Sequence, residues 1–308
     1  MNLGILTHYS PSILDYCAEQ GYTVVALSAS PASSIDAENI SDSDIRTIRR
    51  DFEKRNLKVS TLGFYPNHLN GFFKRTGEEK FDITRGIDRA GREKIASYFK
   101  ALIRLAARMG VGLVSTHAGF LPGRTMSDMV DEFRLVFTPY AELAEKEGVR
   151  IALENCPHGP GGGNFVHSPD MWDRVFSAVP SANLGIEFDP SHMIILFMDY
   201  LAAIEAYGPR IYHVHLKDAE ILPRIMNRSG VRNDESWWRY RLPGWGSVDW
   251  RLFFSALRSI GYQGDVVVEN EDAFFEGTDV AWTDPRVLSP GMRTAFTMAY
   301  EYIRPLIF

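Results

Sequence analysis

Gly148-Val149-Arg150-Ile151-Ala152-Leu153-Glu154 is a short unit: a glycine, a run with period-two apolar alternation, and a carboxylate at its end. Ser127 to Glu147 before it reads as a helix, which Gly148 stops because the left-handed C-cap costs glycine nothing. The run that follows reads as a strand, with Ile151 and Leu153 on one face and Ala152 and Glu154 on the other. Helix, glycine, strand and polar tip make one repeat of a larger pattern.

The same unit recurs along the chain. Ser12 to Gln20 is helical and Gly21-Tyr-Thr-Val-Val-Ala-Leu27 follows as a strand. Thr84 to Met109 is helical, Gly110 closes it, and Val111 to His117 is the next strand. Asp249 to Ile260 is helical, Gly261 ends it, and Asp265 to Glu269 follows. Strands at Leu3–His8, Leu57–Phe64, Asn183–Asp189 and Ile211–Asp218 complete the set. Helices at Ser41–Asn56, Asp199–Tyr207 and Pro290–Tyr302, with one from Ser168-Pro-Asp to Ala178, lie between or after them. Eight strands alternating with helices predict parallel βα units, and a closed (β/α)8 TIM barrel is the simplest arrangement. A doubly wound open sheet is the alternative, but no glycine-rich phosphate loop follows the first strand. Gly159-Pro-Gly-Gly-Gly163 comes after the fifth strand and leads into no immediate helix. One domain over residues 1–308 is expected, with a long insertion, 219–250, between the seventh strand and its helix.

Bulk properties narrow the partners. The 308 residues are 45% hydrophobic and carry a formal net charge of −6, which argues against a phosphate-tracking nucleic-acid surface. Two distant cysteines, Cys17 and Cys156, behind an opening with no basic-then-apolar leader, point to a reducing, cytoplasmic setting. No apolar run reaches the roughly 18 to 20 residues of a membrane span.

In a barrel, chemistry sits at the C-terminal strand ends. Ile211-Tyr-His-Val-His-Leu-Lys-Asp218 turns His213, His215 and Lys217 to one face. Glu187 and Asp189 share a face of the sixth strand, and Glu269 ends the eighth on the face of Val267. Glu154, Asp189, His215 and Glu269 therefore converge on one mouth from four successive strands. Any one such acid alone is more often a helix cap or an ion pair; four with matched parity form a site. Three carboxylates and one imidazole repel unless neutralised, and the usual remedy is one divalent ion. Oxygen-rich ligation with a single histidine favours Mn2+, with Mg2+, Co2+ or Zn2+ as alternatives. His213, one layer deeper, orients a ligand from behind.

Five motifs carry a family resemblance: Leu153-Glu-Asn155, Phe188-Asp-Pro-Ser-His192, His213-Val-His-Leu-Lys-Asp218, Gly244-Trp-Gly-Ser-Val-Asp-Trp250 and Val268-Glu-Asn270. From about the second strand onward the chain resembles the xylose isomerase-like TIM barrels, which include ketose 3-epimerases, inosose dehydratases, hydroxypyruvate isomerases and apurinic-site endonucleases. The resemblance implies that Glu154, Asp189, His215 and Glu269 are metal ligands and that His192 contacts substrate. For the sugar enzymes it also implies proton removal beside a carbonyl through an enediolate, with Glu154 and Glu269 doubling as acid and base. Reprotonation then gives isomerisation or epimerisation, and loss of a β-substituent gives a lyase.

Two departures stand out. The ketose 3-epimerases carry an arginine six residues after the ligand histidine, where this chain has Ile221. The insertion also brings Trp237, Trp238, Arg239, Tyr240 and Arg241, which read either as a lid over a substrate with an apolar part or as a packed surface excursion or subunit contact. As a lid, its candidate substrate contacts are Trp237 and Arg239. That reading resembles the large subunits of C-glycoside deglycosidases, which eliminate the aglycone from 3-oxo-glycosides and work with a small β-rich subunit. His158 is then an extra acid/base group or a solvated loop residue, His117 a site residue at the tip of the fourth strand, and Lys217 a substrate contact or the counter-ion of Glu187. An apurinic-site endonuclease would need further ligands, for which His68 and His117 are candidates, and a non-catalytic sugar-binding barrel conflicts with the intact quartet. The expected partners are a small sugar or glycoside and a second copy of the chain, or a small subunit in the deglycosidase reading.

Overall fold

Helix boundaries follow the groups that cap them. Ser41 and Thr125 each accept a hydrogen bond from the N–H three residues on, and Asp44 and Asp128 accept one in return from the cap N–H, opening α2 (Asp42–Glu53) and α4 (Met126–Glu147). Gly21, Gly110 and Gly148, at φ of 97°, 75° and 68°, end α1 (Pro11–Gln20), α3 (Arg89–Met109) and α4. The computed structural model describes residues 1–31, 33–73, 86–160, 162–231, 236–275 and 287–307. The expected start of a helix at Thr84 lies outside them; the helix described begins at Arg89.

The strands are β1 (Asn2–Thr7), β2 (Val24–Ser28), β3 (Lys58–Gly63), β4 (Leu113–Thr116), β5 (Arg150–Glu154), β6 (Leu184–Phe188), β7 (Ile211–Leu216), β8 (Asp218–Ile221), β9 (Trp238–Arg241) and β10 (Asp265–Val268). Eight of them close into a parallel barrel in the order β1-β10-β7-β6-β5-β4-β3-β2, as the repeat predicts. The remaining helices are α5 (Pro169–Ala178), α6 (Pro190–Ile195), α7 (Tyr200–Tyr207), α8 (Pro223–Ser229), α9 (Trp250–Ser259) and α10 (Pro290–Ile303). No helix among the described residues is long and apolar enough to cross a membrane.

Outward strand residues such as Val114, Ile151, Ile186 and Val214 pack under the helices in the main core. Inside the barrel a small apolar cluster, Leu6, Val24, Ala26 and Val267, comes from β1, β2 and β10. Polar side chains share that interior. A bulge lets Ser60 and Thr61 of β3 stand opposite the single residue Ala26 of β2. Their hydroxyls reach His213 Nε2 at 2.8 Å and Ser115 Oγ at 3.0 Å.

Two elements differ from the sequence reading. A short helix, α6, begins directly after Asp189, ahead of the expected helix at Asp199. The insertion is also no plain loop: β8 and β9 pair antiparallel, with Ile221 opposite Trp238, and α8 lies between them in sequence.

Candidate active site

Asparagines tie the strand ends together before any acid is placed. Asn155 donates from Nδ2 to Asp189 O and accepts from Asp189 N at 2.7 Å, linking the end of β5 to the end of β6. Asn164 accepts from the N–H groups of Ala118 and Gly119 and donates to Glu154 O and Cys156 O, joining the loops after β4 and β5. Asp189 divides its carboxylate: Oδ1 accepts from Ser191 N at 2.8 Å as the cap of α6, and Oδ2 faces the mouth. The helix-cap and site readings of Asp189 both describe this residue.

Ligand atoms of Glu154, Asp189, His215 and Glu269 lie within 4.8 Å of one another. His215 Nδ1 is 3.1 Å from both Glu154 Oε1 and Glu269 Oε2. All four side chains are buried or nearly so. Burial alone would raise the Glu269 pKa, but the charges of Lys217 and His215 hold it down to about 2. Burial likewise opposes ionisation of Glu154, yet hydrogen bonds with His117, His192 and His215 keep it well below the usual carboxylate range. Burial lowers the His215 pKa, but Glu187 first, with Glu269 and Glu154, raises it well above an ordinary histidine. Asp189 Oδ2 and His192 Nε2 are buried and face each other at 3.3 Å, with Lys217 Nζ 3.1 Å from the same carboxylate oxygen. Three carboxylates and one imidazole nitrogen brought this close fit a divalent cation, which would take the place of the proton on His215 Nδ1.

Behind the quartet sits Glu187, fully buried. It accepts hydrogen bonds from Ser115 Oγ at 2.6 Å and Tyr65 OH at 2.8 Å and pairs with His213 Nδ1 at 2.7 Å. Its Oε1 is 3.3 Å from His215 Nε2. The orienting group behind His215 is thus Glu187, and His213, held in turn by Ser60, supports Glu187. Lys217 does not neutralise Glu187. It extends past the end of β7 to Glu269 Oε2 at 2.7 Å, Glu271 Oε2 at 2.8 Å and Asp189 Oδ2 at 3.1 Å.

His117 Nε2 is 2.7 Å from Glu154 Oε2, inside the site. His68 is not. It is packed among Phe99, Phe137 and Tyr140 and bound to Thr116 Oγ1 at 2.9 Å, on the helix side of β4. Burial lowers its pKa to about 3, so it is a neutral core histidine and leaves the endonuclease reading short of a ligand.

The insertion lies against the mouth and is pinned there. Asp218 accepts from Ala219 N, Val248 N, Gly244 N and Trp250 Nε1, all within 3.0 Å, which fastens both ends of the excursion to one carboxylate. Asp272 accepts from Leu242 N and Arg241 Nη1. Strand alternation in β9 turns Trp238 and Tyr240 inward. Tyr240 OH meets His192 Nδ1 at 3.1 Å, and its ring lies 4.5 Å from Lys217 Nζ. Trp238 stacks on His158 at 5.4 Å. Burial, helped by the neighbouring His192 and Lys217, lowers His158 to about 4. Trp237 and Arg239 do not reach this face: Trp237 stacks on Phe197, and Arg239 pairs with Glu220 on the opposite side of the ribbon. Reading the sequence missed Glu271 and Tyr65, and within the insertion it chose Trp237 and Arg239 as the contacts where Trp238 and Tyr240 face the mouth. Glu271 had a signal, since it repeats the parity of Glu269 two residues on.

The comparisons with known proteins agree with this geometry. A family profile described as "Xylose isomerase-like TIM barrel" matches residues 14–288. An inosose isomerase of Bacillus velezensis is 25% identical over 259 residues, covering 83% of this chain and 81% of that one. A crystal structure of 3-keto-D-glucoside 4-epimerase from E. coli, at 17% identity, superposes with a TM-score of 0.69 over 99% of each chain. The IOLI protein with a bound zinc atom, at 20% identity, superposes with a TM-score of 0.69 over 100% of this chain and 99% of its own. Barrel, motifs and matched length agree, and the chain belongs to the xylose isomerase-like TIM barrel family.

Proposed function

We propose that this protein is a divalent-metal-dependent sugar isomerase, epimerase or dehydratase that removes a proton beside the carbonyl of a keto-sugar or keto-glycoside. The observation that carries the reading is the quartet, with Glu154 and Glu269 each 3.1 Å from His215 Nδ1. The sugar enzymes among its relatives, an inosose isomerase among them, support the substrate class. When bound, the metal would be held by Glu154, Asp189, His215 and Glu269 and would stabilise negative charge on the substrate oxygens. Mn2+ suits this oxygen-rich set, and the zinc of the IOLI protein supports Zn2+ as an alternative.

The remaining work falls to side chains. Glu154 and Glu269 flank the site from β5 and β10, and one takes the carbon-bound proton to leave an enediolate. That proton, or one the other carboxylate has taken from solvent, then goes to a neighbouring carbon, to the opposite face of the same carbon, or to a leaving oxygen, giving isomerisation, epimerisation or dehydration. Lys217 keeps Glu269 ionised and so free to accept a proton. His117 Nε2 does the same for Glu154, and His192 Nε2 presents a hydrogen bond to a substrate oxygen. Trp238 and Tyr240 form one wall and exclude water from that side.

A second reading is favoured by that aromatic wall. On a 3-oxo-glycoside, loss of the proton beside the ketone followed by cleavage of the bond to the aglycone is an elimination, with the aglycone over Trp238 and His158. In that case a small partner subunit is expected. Replacing Glu269 with Gln should lower solvent exchange of the substrate α-proton by about 100-fold or more, the usual size of a lost general base. Exchange at the wild-type rate refutes the enediolate mechanism. Metal analysis should return about one divalent ion per chain, held by this quartet; three zincs per chain would restore the endonuclease reading. Assay of 3-oxo-glycosides against free ketoses decides between the two substrate readings.

A further inference from the structure

The two nitrogens of His192 face different partners. Nε2 lies 3.3 Å from Asp189 Oδ2 and 3.7 Å from Glu154 Oε1, both acceptors. Nδ1 lies 3.1 Å from the hydroxyl of Tyr240. The acceptors at Nε2 suit a proton on that nitrogen, and the Nδ1 lone pair then needs a donor. Tyr240 supplies one. Its phenol is pushed far above the ordinary tyrosine value, first by burial, so it stays protonated.

Tyr240 does not belong to the barrel. It stands on β9 of the insertion, in a ribbon whose base is fixed by Asp218 and Asp272. Its ring also meets His192 edge-on at 5.6 Å and lies under the Lys217 ammonium at 4.5 Å. His192 and Lys217 are the two side chains that approach Asp189 Oδ2, at 3.3 and 3.1 Å. One residue of the insertion thus touches both groups on the open side of the quartet. Ile221, where the ketose 3-epimerases carry arginine, pairs with Trp238 two residues before Tyr240.

We propose that Tyr240 is a positioning residue for the reaction: its hydroxyl donates to His192 Nδ1 and holds Nε2–H toward the substrate oxygen. The insertion is then a working part of the site and not a cover over it. The proposal rests on the reading of this mouth as a sugar site.

The test uses the full-length chain with 15N-labelled histidine, first chelated and then loaded with Zn2+, which is diamagnetic. The variant Tyr240→Phe keeps the ring against Lys217 and Trp238 and removes only the hydroxyl. In the wild-type protein His192, assigned by loss of its signals in His192→Gln, should show a protonated Nε2 and a hydrogen-bonded Nδ1. In Tyr240→Phe the Nδ1 resonance should move to the position of an unbonded imine nitrogen. On the sugar found by screening, kcat should fall about tenfold with a smaller change in KM, equivalent to about 1.4 kcal/mol. A wild-type His192 protonated on Nδ1, or an Nδ1 signal unmoved by Tyr240→Phe, overturns the hydrogen bond. A moved signal with wild-type kcat and KM overturns the positioning role. If no sugar is turned over, the functional reading fails, while the NMR result still decides the contact.

Discussion

Glu187→Gln changes one atom at the centre of the buried network and puts a number on its worth. The wild-type carboxylate takes hydrogen bonds from Ser115 and Tyr65, pairs with His213 Nδ1 at 2.7 Å and lies 3.3 Å from His215 Nε2. Glutamine can still accept two bonds on its oxygen, but its NH2 group replaces an acceptor and faces the Tyr65 hydroxyl. Each bond that loses its charge assistance gives up about 1 kcal/mol, and an orphaned buried phenol proton costs about 1–3 kcal/mol more. The total, about 4 kcal/mol, matches the roughly 3–5 kcal/mol for breaking a buried ion pair. Urea unfolding should show the midpoint shifted with an unchanged slope. Melting should fall by about 10 °C, taking about 2–4 °C per kcal/mol for a chain of this order of size. Because Glu187 sits behind His215, calorimetric titration with Zn2+ should show affinity lower by about 10- to 100-fold. A variant within about 0.5 kcal/mol of wild type refutes the network argument. Lost stability with unchanged zinc affinity refutes the claim that Glu187 orients the ligand.

His68→Gln tests pH dependence. The folded pKa of about 3 lies below the unfolded value of about 6.5, so the unfolded state binds an extra proton between them, and stability falls as pH drops through that window. Removing His68 should take about 1.4 kcal/mol per pH unit off the slope of stability between about pH 6 and 4.5, read by urea unfolding; an unchanged slope rejects the buried neutral histidine. Glu269 works at lower pH: its folded value of about 2 lies below the unfolded one of about 4.3, so its contribution is present above about pH 4.3 and is lost on further acidification. Lys217→Met leaves Asp189, Glu269 and Glu271 without their shared cation and should destabilise the chelated protein by about 3–5 kcal/mol. Added Zn2+ should raise the melting temperature of Lys217→Met more than that of wild type, and an equal rise in both contradicts the shared-charge account.

Strand parity carried the reading of the site wherever hydrogen bonding to a neighbour holds the strand in place. Glu154, Asp189, His215 and Glu269 were legible because Asn155 and the register of β5 to β7 keep their tips aligned. Parity failed where the chain has run several residues past a strand end. His68 comes five residues after Gly63, where the chain has left the barrel, and its ring lodges in the helix layer beside Tyr140. Trp237 and Arg239 failed for a related reason: which face of β9 looks into the mouth depends on its pairing with β8, and the insertion shows no alternation strong enough to predict that pairing.

The order of helices and strands, the closed sheet and the four converging side chains follow from local signals: glycine caps, period-two alternation and a carboxylate or imidazole at a strand tip. These depend on neighbours within a few residues or on the next strand, so the chain states them directly. The partners of the charges do not. Lys217 reaches Glu271 and Glu269 rather than Glu187, and Tyr240 reaches His192 across 48 residues of chain. Such pairings are set by side-chain reach and by how deep each group sits in the barrel, quantities that exist only once the sheet has closed.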